Sequence, residues 1–262
     1  MYTYDHLYEP AFAEKTLTSA KAMVPLVMEL VHPRSVVDVG CGHGVWLSVF
    51  REEGVSDILG IDADWVKREA LRIPEEKFMP RDLAQPIRLD REYDLVVSLE
   101  VAEHLPAQYA AAFVESLSRL GPVVLFSAAI PFQGGNFHVN EQWPDYWAQL
   151  FRGHGYVVAD CLRRKLWQNG EVAVWYAQNT LLFIRENHLK KYPLLEQEAA
   201  RTDSALSIVH PHTYFNAKKR FYPEDVTLMQ VLKVLPYLFW RAFALRLRRL
   251  FRRPSDTGLG GQ

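Results

Sequence analysis

The stretch Val36-Val37-Asp38-Val39-Gly40-Cys41-Gly42-His43-Gly44-Val45-Trp46 decides how the rest of the chain is read. An apolar run broken by one acid leads into three glycines spaced two apart, and an apolar helical pattern begins after them. The reading is a strand, a glycine turn and a helix start. Glycine is needed where backbone must approach a ligand or take positive φ. Placed between a strand and a helix, such a turn offers free N–H groups to a small charged ligand.

Working outward, residues 18–32 read as a helix that Thr18 or Ser19 caps and Pro33 follows, with Pro25 expected to kink it or delay its start. Residues 1–17 are aromatic-rich and aperiodic. Ser35–Val39 is the first strand and Val45–Glu53 the first helix after it. Ile58–Ile61, ending at Asp62, is a second strand. Trp65–Ile73 is expected to be helical, and Lys77–Met79 is a weak third strand. Tyr93–Leu99 is a fourth strand, apolar enough to be covered on both faces. Ala107–Leu120 reads as a helix between Pro106 and Gly121, and Val123–Ala128 as a fifth strand. A helix over 143–152 and strands at Tyr156–Cys161 and Val174–Ile184 complete the pattern, the last pair as an antiparallel hairpin. The alternation predicts an α/β fold, a Rossmann-like, doubly wound and mostly parallel sheet with an antiparallel last strand and a C-terminal helical extension. Ligands of such sheets lie at the carboxyl ends of the strands. The expected organisation is an N-terminal helical lid over 1–34, a binding domain over 35–185 and an extension over 186–262.

Bulk properties narrow the class. The chain has 262 residues, 49% of them hydrophobic, and a net charge of −1, so no global field favours a polyanionic partner. Two cysteines, Cys41 and Cys161, suit a reducing compartment. The first residues lack a basic and apolar leader, and no window of about 20 residues is free of charge, so no membrane-spanning helix is expected. The expected location is the cytoplasm, with the inner face of the membrane within reach of the tail.

Two further acids qualify the glycine turn. Asp62 closes the second strand, where a carboxylate can accept both hydroxyls of a ribose. Asp82, followed by Leu83, closes the third, pairing an acceptor for an exocyclic amine with an apolar face for a base. The spacing Gly40-x-Gly42-x-Gly44 departs from the G-x-G-x-x-G of NAD-binding proteins. With VVDVGCGHG (36–44), GIDAD (60–64), RDLAQP (81–86) and DLVVSLEVAEHLP (94–106) in order, the sequence resembles the class I S-adenosylmethionine (SAM)-dependent methyltransferases from residue 35 to about 185. The resemblance implies SAM as cofactor. It places Asp38, Gly40, Gly42 and Gly44 around the methionine end, Asp62 and Ala63 at the ribose and Asp82 and Leu83 at the adenine, with Leu99 also lining the cofactor.

Glu100, Glu103 and His104 follow the strongest strand. At positions i, i+3 and i+4 of a helical turn they share a face, and two carboxylates beside an imidazole repel or share protons unless a cation or a proton compensates. The E-x-x-E-H element is similar to that of metal-dependent O-methyltransferases, including small-RNA 2′-O-methyltransferases, which add a histidine from a later loop. In the loop over 130–142, His138 is the candidate for that residue that the resemblance implies. Glu100, Glu103, His104 and His138 are thus the expected metal ligands, their mixed oxygen and nitrogen donors suiting Mg²⁺, Mn²⁺, Fe²⁺ or Zn²⁺ with Mg²⁺ or Mn²⁺ taken as the expectation, and His104, His138 and Glu103 the expected catalytic residues. A metal-free acid/base role for the same residues is the alternative reading. An alcohol needs one or the other, because its pKa lies far above 7.

The loop over 130–142 is dense in hydroxyl-reading amides (Gln133, Asn136, Asn140, Gln142), followed by Trp143, Tyr146 and Trp147 as aromatic plates, or as core residues of a helix. The expected acceptor is a sugar, glycan or other hydroxylated small molecule. A metal-independent N- or carboxyl-methyltransferase and a non-catalytic SAM-binding scaffold are the competing readings. Nucleic acid is not expected, because the core lacks a basic stripe with interleaved aromatics. Cys41 reads as a small filler, and His210-Pro211-His212 as a loop feature. The run over 223–253 is apolar and arginine-rich, with no acid between Val226 and Ser255. It reads as a basic amphipathic helix for peripheral membrane contact or for docking, including on a second copy of the chain.

Overall fold

The computed structural model describes residues 10–202 and 205–219, with isolated positions beyond. The chain divides into two compact units, Met1–Tyr214 and Phe215–Gln262. The first holds a seven-stranded sheet formed by β1 (Ser35–Val39), β2 (Asp57–Asp62), β3 (Phe78–Pro80), β4 (Leu95–Leu99), β5 (Val123–Ser127), β6 (Tyr156–Ala159) and β7 (Leu181–Arg185), in the order β3-β2-β1-β4-β5-β7-β6. All pairings are parallel except those of β7 with β5 and β6. From β1 the chain moves outward through β2 to β3, then returns to β4 on the other side of β1. The order therefore reverses between β1 and β4, where a crevice forms beyond the strand ends.

Side-chain alternation builds two cores. Val36, Leu95, Val97 and Leu125 point to one face, with Trp46, Phe50 and Met23. Val37, Val39, Val96 and Val124 point to the other, with Phe113, Trp147 and Phe151. Successive strand residues face opposite sides, so a continuous apolar strand is consistent only with a sheet covered on both faces. The helices α1 (Pro10–Val31) and α2 (Val45–Glu52) serve the first core, and α3 (Ala110–Leu120) and α4 (Pro144–Gly153) the second.

Several sequence expectations change. α1 begins at Pro10 and runs through Pro25 to Val31, so Thr18 and Ser19 lie inside it rather than at a cap. Ser19 instead donates to Lys15 O (2.7 Å) and accepts from Ala173 N (2.9 Å), tying α1 to a segment more than a hundred residues away. Trp65–Ile73 is not a helix; only Arg68–Ala70 forms a 3₁₀ turn. Arg72 N donates to His43 O (2.8 Å), which hooks the segment onto the glycine turn and draws Ile73 over Gly44. Val174–Ile184 is not one strand: α6 (Val174–Asn179) precedes β7. β6 and β7 do pair antiparallel, but α5 (Arg163–Leu166) and α6 lie between them, so they are not a tight hairpin. Beyond residue 185 the chain forms α7 (Pro193–Arg201) and α8 (Pro211–Lys219).

The run over 223–253 lies outside the described residues apart from isolated helical positions, among them Leu228 and Trp240, whose side chains are exposed. Among the described residues no helix is long and apolar enough to cross a membrane.

Arg163 closes this unit. Its side chain is buried, pairs with Asp160 through two hydrogen bonds (2.8 and 2.6 Å) and donates to Leu206 O (2.7 Å), holding the segment after α7 against the domain. Removing one partner of a buried pair is costly. Arg163→Met is expected to lower stability in urea by about 3 kcal/mol and to speed protease cleavage near Leu206; an unchanged midpoint would contradict the assignment.

Candidate active site

The site is built from two turns at the sheet reversal. After β1, Gly40, Gly42 and Gly44 all take positive φ (86°, 53° and 75°). Gly44 begins α2 from the left-handed region. A Cβ on Gly40 would stand 2.3 Å from Val101 Cγ2, so only a bare Cα admits the turn that follows β4. Gly42 N and Ala63 N donate to the two oxygens of Asp62 (2.7 and 2.6 Å), which welds the end of β2 to the glycine turn.

Asp38 is 2% exposed, and its Oδ2 has no hydrogen-bond partner. Burial pushes its carboxyl well above the usual range, and the nearby Asp62 pushes it further. Burial also raises Asp62, against the pull of its two backbone N–H bonds. An unpaired buried carboxylate is costly, and a ligand with a cationic hydrogen-bond donor would relieve it. Asp82 lies in the turn after β3, exposed, with its Oδ1 accepting from Ala84 N (2.9 Å). Leu83 beside it is half-buried, and Arg81 N donates to Asp62 O (2.7 Å), so the third acid follows directly on the second. Leu99, the last residue of β4, is buried.

Cys41 is also buried, and burial followed by the charges of Asp38 and Asp62 raises its thiol well above its ordinary value, which suits a filler and not a nucleophile. His43 lends its carbonyl to Arg72.

After β4 the chain takes a sharp turn at Glu100, whose φ is 55°. A 3₁₀ turn over Ala102–His104 then carries the remaining cluster. Glu103 is fully buried, and neither carboxylate oxygen has a hydrogen-bond partner. Burial raises its carboxyl well above the usual range, and the charge of Glu100 adds to this. His104 and His138 meet edge to face, ring centroids 4.9 Å apart. Glu103, His104 and His138 each offer one ligand atom, all within 4.8 Å of one another.

Glu100 does not join that group. Its oxygens accept from Gln133 Nε2 (2.9 Å) and Asn179 Nδ2 (3.1 Å), and Asn179 also donates to Gln133 Oε1 (2.9 Å). The cause is geometric: the left-handed turn at residue 100 breaks the helical i, i+3 relation on which the sequence argument rests.

The loop over 130–142 is pinned above this turn. Val139 N and Asn140 N both donate to Glu103 O (2.9 and 3.0 Å), which brings His138 to the cluster. Asn140 is buried, with Nδ2 unpartnered. Trp147 lies in the core against Phe126 and is no acceptor plate, whereas Trp143 is exposed. His210 is held as a loop element by Trp167 O and Gln178 Oε1. Sequence reasoning missed Gln178 and Asn179, hidden in a segment read as strand, and Glu141, which carries no local signal.

The model of a methyltransferase domain family matches residues 12–174, and the chain belongs to that family. No curated protein matches it. Solved structures share the fold. Streptomyces venezuelae DesVI has a TM-score of 0.51 at 18% identity, covering 69% of this chain and 96% of that one. Magnesium protoporphyrin IX methyltransferase from Synechocystis PCC 6803, with bound S-adenosylhomocysteine (SAH), has a TM-score of 0.50 at 21% identity, covering 71% and 88%. A bacterial CtHen1 methyltransferase domain has a TM-score of 0.47 at 20% identity, covering 64% and 97%. The chain is a SAM-dependent methyltransferase, and the unpartnered Oδ2 of Asp38 with the Gly42–Asp62 weld fits such a cofactor.

Because the folded, cofactor-free protein holds the Asp38 proton more tightly than the unfolded chain, its stability falls as pH rises from 3.8 through the raised folded value. Asp38→Asn is expected to flatten this slope and to stabilise the free protein at neutral pH by on the order of 1 kcal/mol. In the same variant, calorimetric binding of SAM is expected to weaken at least about tenfold. Undiminished affinity would remove Asp38 from the cofactor site.

Proposed function

We propose that the chain methylates a hydroxyl oxygen of a sugar, glycan or other hydroxylated small molecule, with a divalent metal or a histidine assisting. The observation that carries this reading is the convergence of Glu103, His104 and His138 within 4.8 Å, on the turn whose Val101 packs against Gly40. The acceptor-side cluster therefore adjoins the cofactor turn.

Bound SAM supplies a methyl group already electrophilic at its sulfonium. The protein must orient the acceptor and remove its proton, which an unassisted alcohol does not release near pH 7. An imidazole of His104 or His138 can take that proton as the new C–O bond forms and the C–S pair leaves with sulfur. The one carboxylate and two imidazoles also suit a divalent cation, and Glu103's unpartnered oxygens fit one. Such an ion would supply Lewis-acid activation of the hydroxyl. Support for a hydroxylated acceptor comes from the loop over 130–142 and the residue after it: Asn136 and Trp143 are exposed, and Asn140 keeps an unpartnered amide N–H.

The test is a labelled-SAM screen over sugars, glycans and phenols, with and without chelation. Activity should vanish in EDTA and return with Mg²⁺ or Mn²⁺. Glu103→Gln should lose about 10–100-fold in metal-supported activity while SAH binding stays within error. Full activity after chelation would assign the proton transfer to the imidazoles alone. Turnover confined to amines or carboxylates would overturn hydroxyl methylation.

A further inference from the structure

Glu141 lies outside the expected ligand and catalytic set, yet it makes three short contacts. Oε1 accepts from Gly134 N (2.7 Å) and meets His138 Nδ1 (3.0 Å), while Oε2 accepts from Phe132 N (2.8 Å). A backbone N–H can only donate and a carboxylate only accepts. The proton between Glu141 and His138 therefore belongs to Nδ1.

A second observation bears on the opposite side of the ring. A Cβ built on Gly135 would stand 2.2 Å from His138 Nε2, so the imidazole lies against a residue that leaves room only because it lacks a side chain. The edge-to-face approach of His104 adds a third constraint on the same ring.

We infer that Glu141 is the positioning residue of His138: it holds the imidazole as the Nδ1–H tautomer, with Gly135 beneath it, and leaves Nε2 as the nitrogen that serves the acceptor. A carboxylate behind a histidine orients the ring and raises the basicity of the far nitrogen, whether that nitrogen takes a proton or a metal. Glu141 also couples this choice to the shape of the loop. Phe132 and Phe137 both have positive φ (68° and 61°), a strained conformation for such residues, and the bond from Phe132 N to Glu141 holds the first of them. The same carboxylate thus sets the loop backbone and the imidazole it presents.

The tautomer stands on the hydrogen bonds alone; its use in catalysis rests on the function proposed above. It is read directly by ¹⁵N NMR of imidazole-labelled full-length protein without metal, about two pH units above the ordinary histidine value near 6.5. The His138 signals are assigned by their loss in His138→Gln. The wild type should show a protonated, pyrrole-type Nδ1 and a pyridine-type Nε2. Glu141→Ala should mix the tautomers, and Gly135→Ala should displace both signals. SAH affinity, measured by calorimetry on the same samples, should hold and report an intact cofactor domain.

In methyl-transfer assays Glu141→Ala should lower kcat about 10–100-fold, with KM for SAM unchanged and partial rescue by Glu141→Gln. A wild-type Nε2–H tautomer, or identical spectra for wild type and Glu141→Ala, would overturn the inference. An altered tautomer with undiminished kcat would equally remove the positioning role. The proposed function fails separately, through turnover confined to amines or carboxylates, which leaves the tautomer standing.

Discussion

Val101 occupies the space that a side chain on residue 40 would need. A Cβ there would approach its Cγ2 to 2.3 Å, and Gly40 takes a φ of 86° that side chains disfavour. This single contact joins the turn after β1 to the turn after β4. The first carries the glycines, one of which is bonded to Asp62, and the second the Glu103–His104 pair. Methyl transfer requires two bound molecules held with their reacting atoms nearly in contact, and in this chain the spacing of the two turns follows from one packed side chain against one bare Cα. The parallel pairing of β1 with β4, Asp38 opposite Val97, keeps the two turns in register.

The site holds acids in a form that does not favour the free protein. Asp38 and Glu103 are buried without hydrogen-bond partners for Asp38 Oδ2 and both Glu103 oxygens, and burial raises both carboxyls well above the ordinary range. Glu100, Phe132 and Phe137 add backbone in the left-handed region. Such features persist where the surrounding structure overdetermines them, and they gather at sites that bind or react. Here the surroundings are the two buried apolar cores on either side of the sheet. Stability from the cores offsets strain concentrated at the strand ends.

A chain of amides ties the site to the distant part of the fold. His210 N donates to Gln178 Oε1, Gln178 Nε2 to Asn179 Oδ1, and Asn179 Nδ2 to Glu100 and Gln133. Arg163 anchors the same region through Leu206 O and Asp160. The segment after α7 therefore bears on Glu100, which opens the turn after β4, although it lies more than a hundred positions away in sequence. Buried, satisfied polar networks of this kind rigidify a unique arrangement.

The amino-acid sequence by itself determined the strands, the sheet class and the order of acids along it. Period-two packing makes Val36–Val39 and Leu95–Leu99 legible as doubly covered strands, and glycine's conformational range makes Gly40–Gly44 legible as a turn, because both properties are local. The grouping of Glu103, His104 and His138 was also readable, two of them adjacent and the third from a polar loop after β5. Tertiary structure alone decided the rest. Trp65–Ile73 carries apolar anchors suited to a helix, but a hydrogen bond from Arg72 to His43 unwinds it. Val174–Asn179 suits strand or helix equally, and burial of Tyr176 edge-on to Trp46 settles it. Glu100 and Glu103 are chemically identical in sequence; only the turn at Glu100 sends one carboxylate to Asn179 and Gln133 and leaves the other buried beside two imidazoles. Glu141 acquires its role only when the loop folds back on itself, because hydrogen bonds between residues without a fixed period leave no trace in the order of the chain.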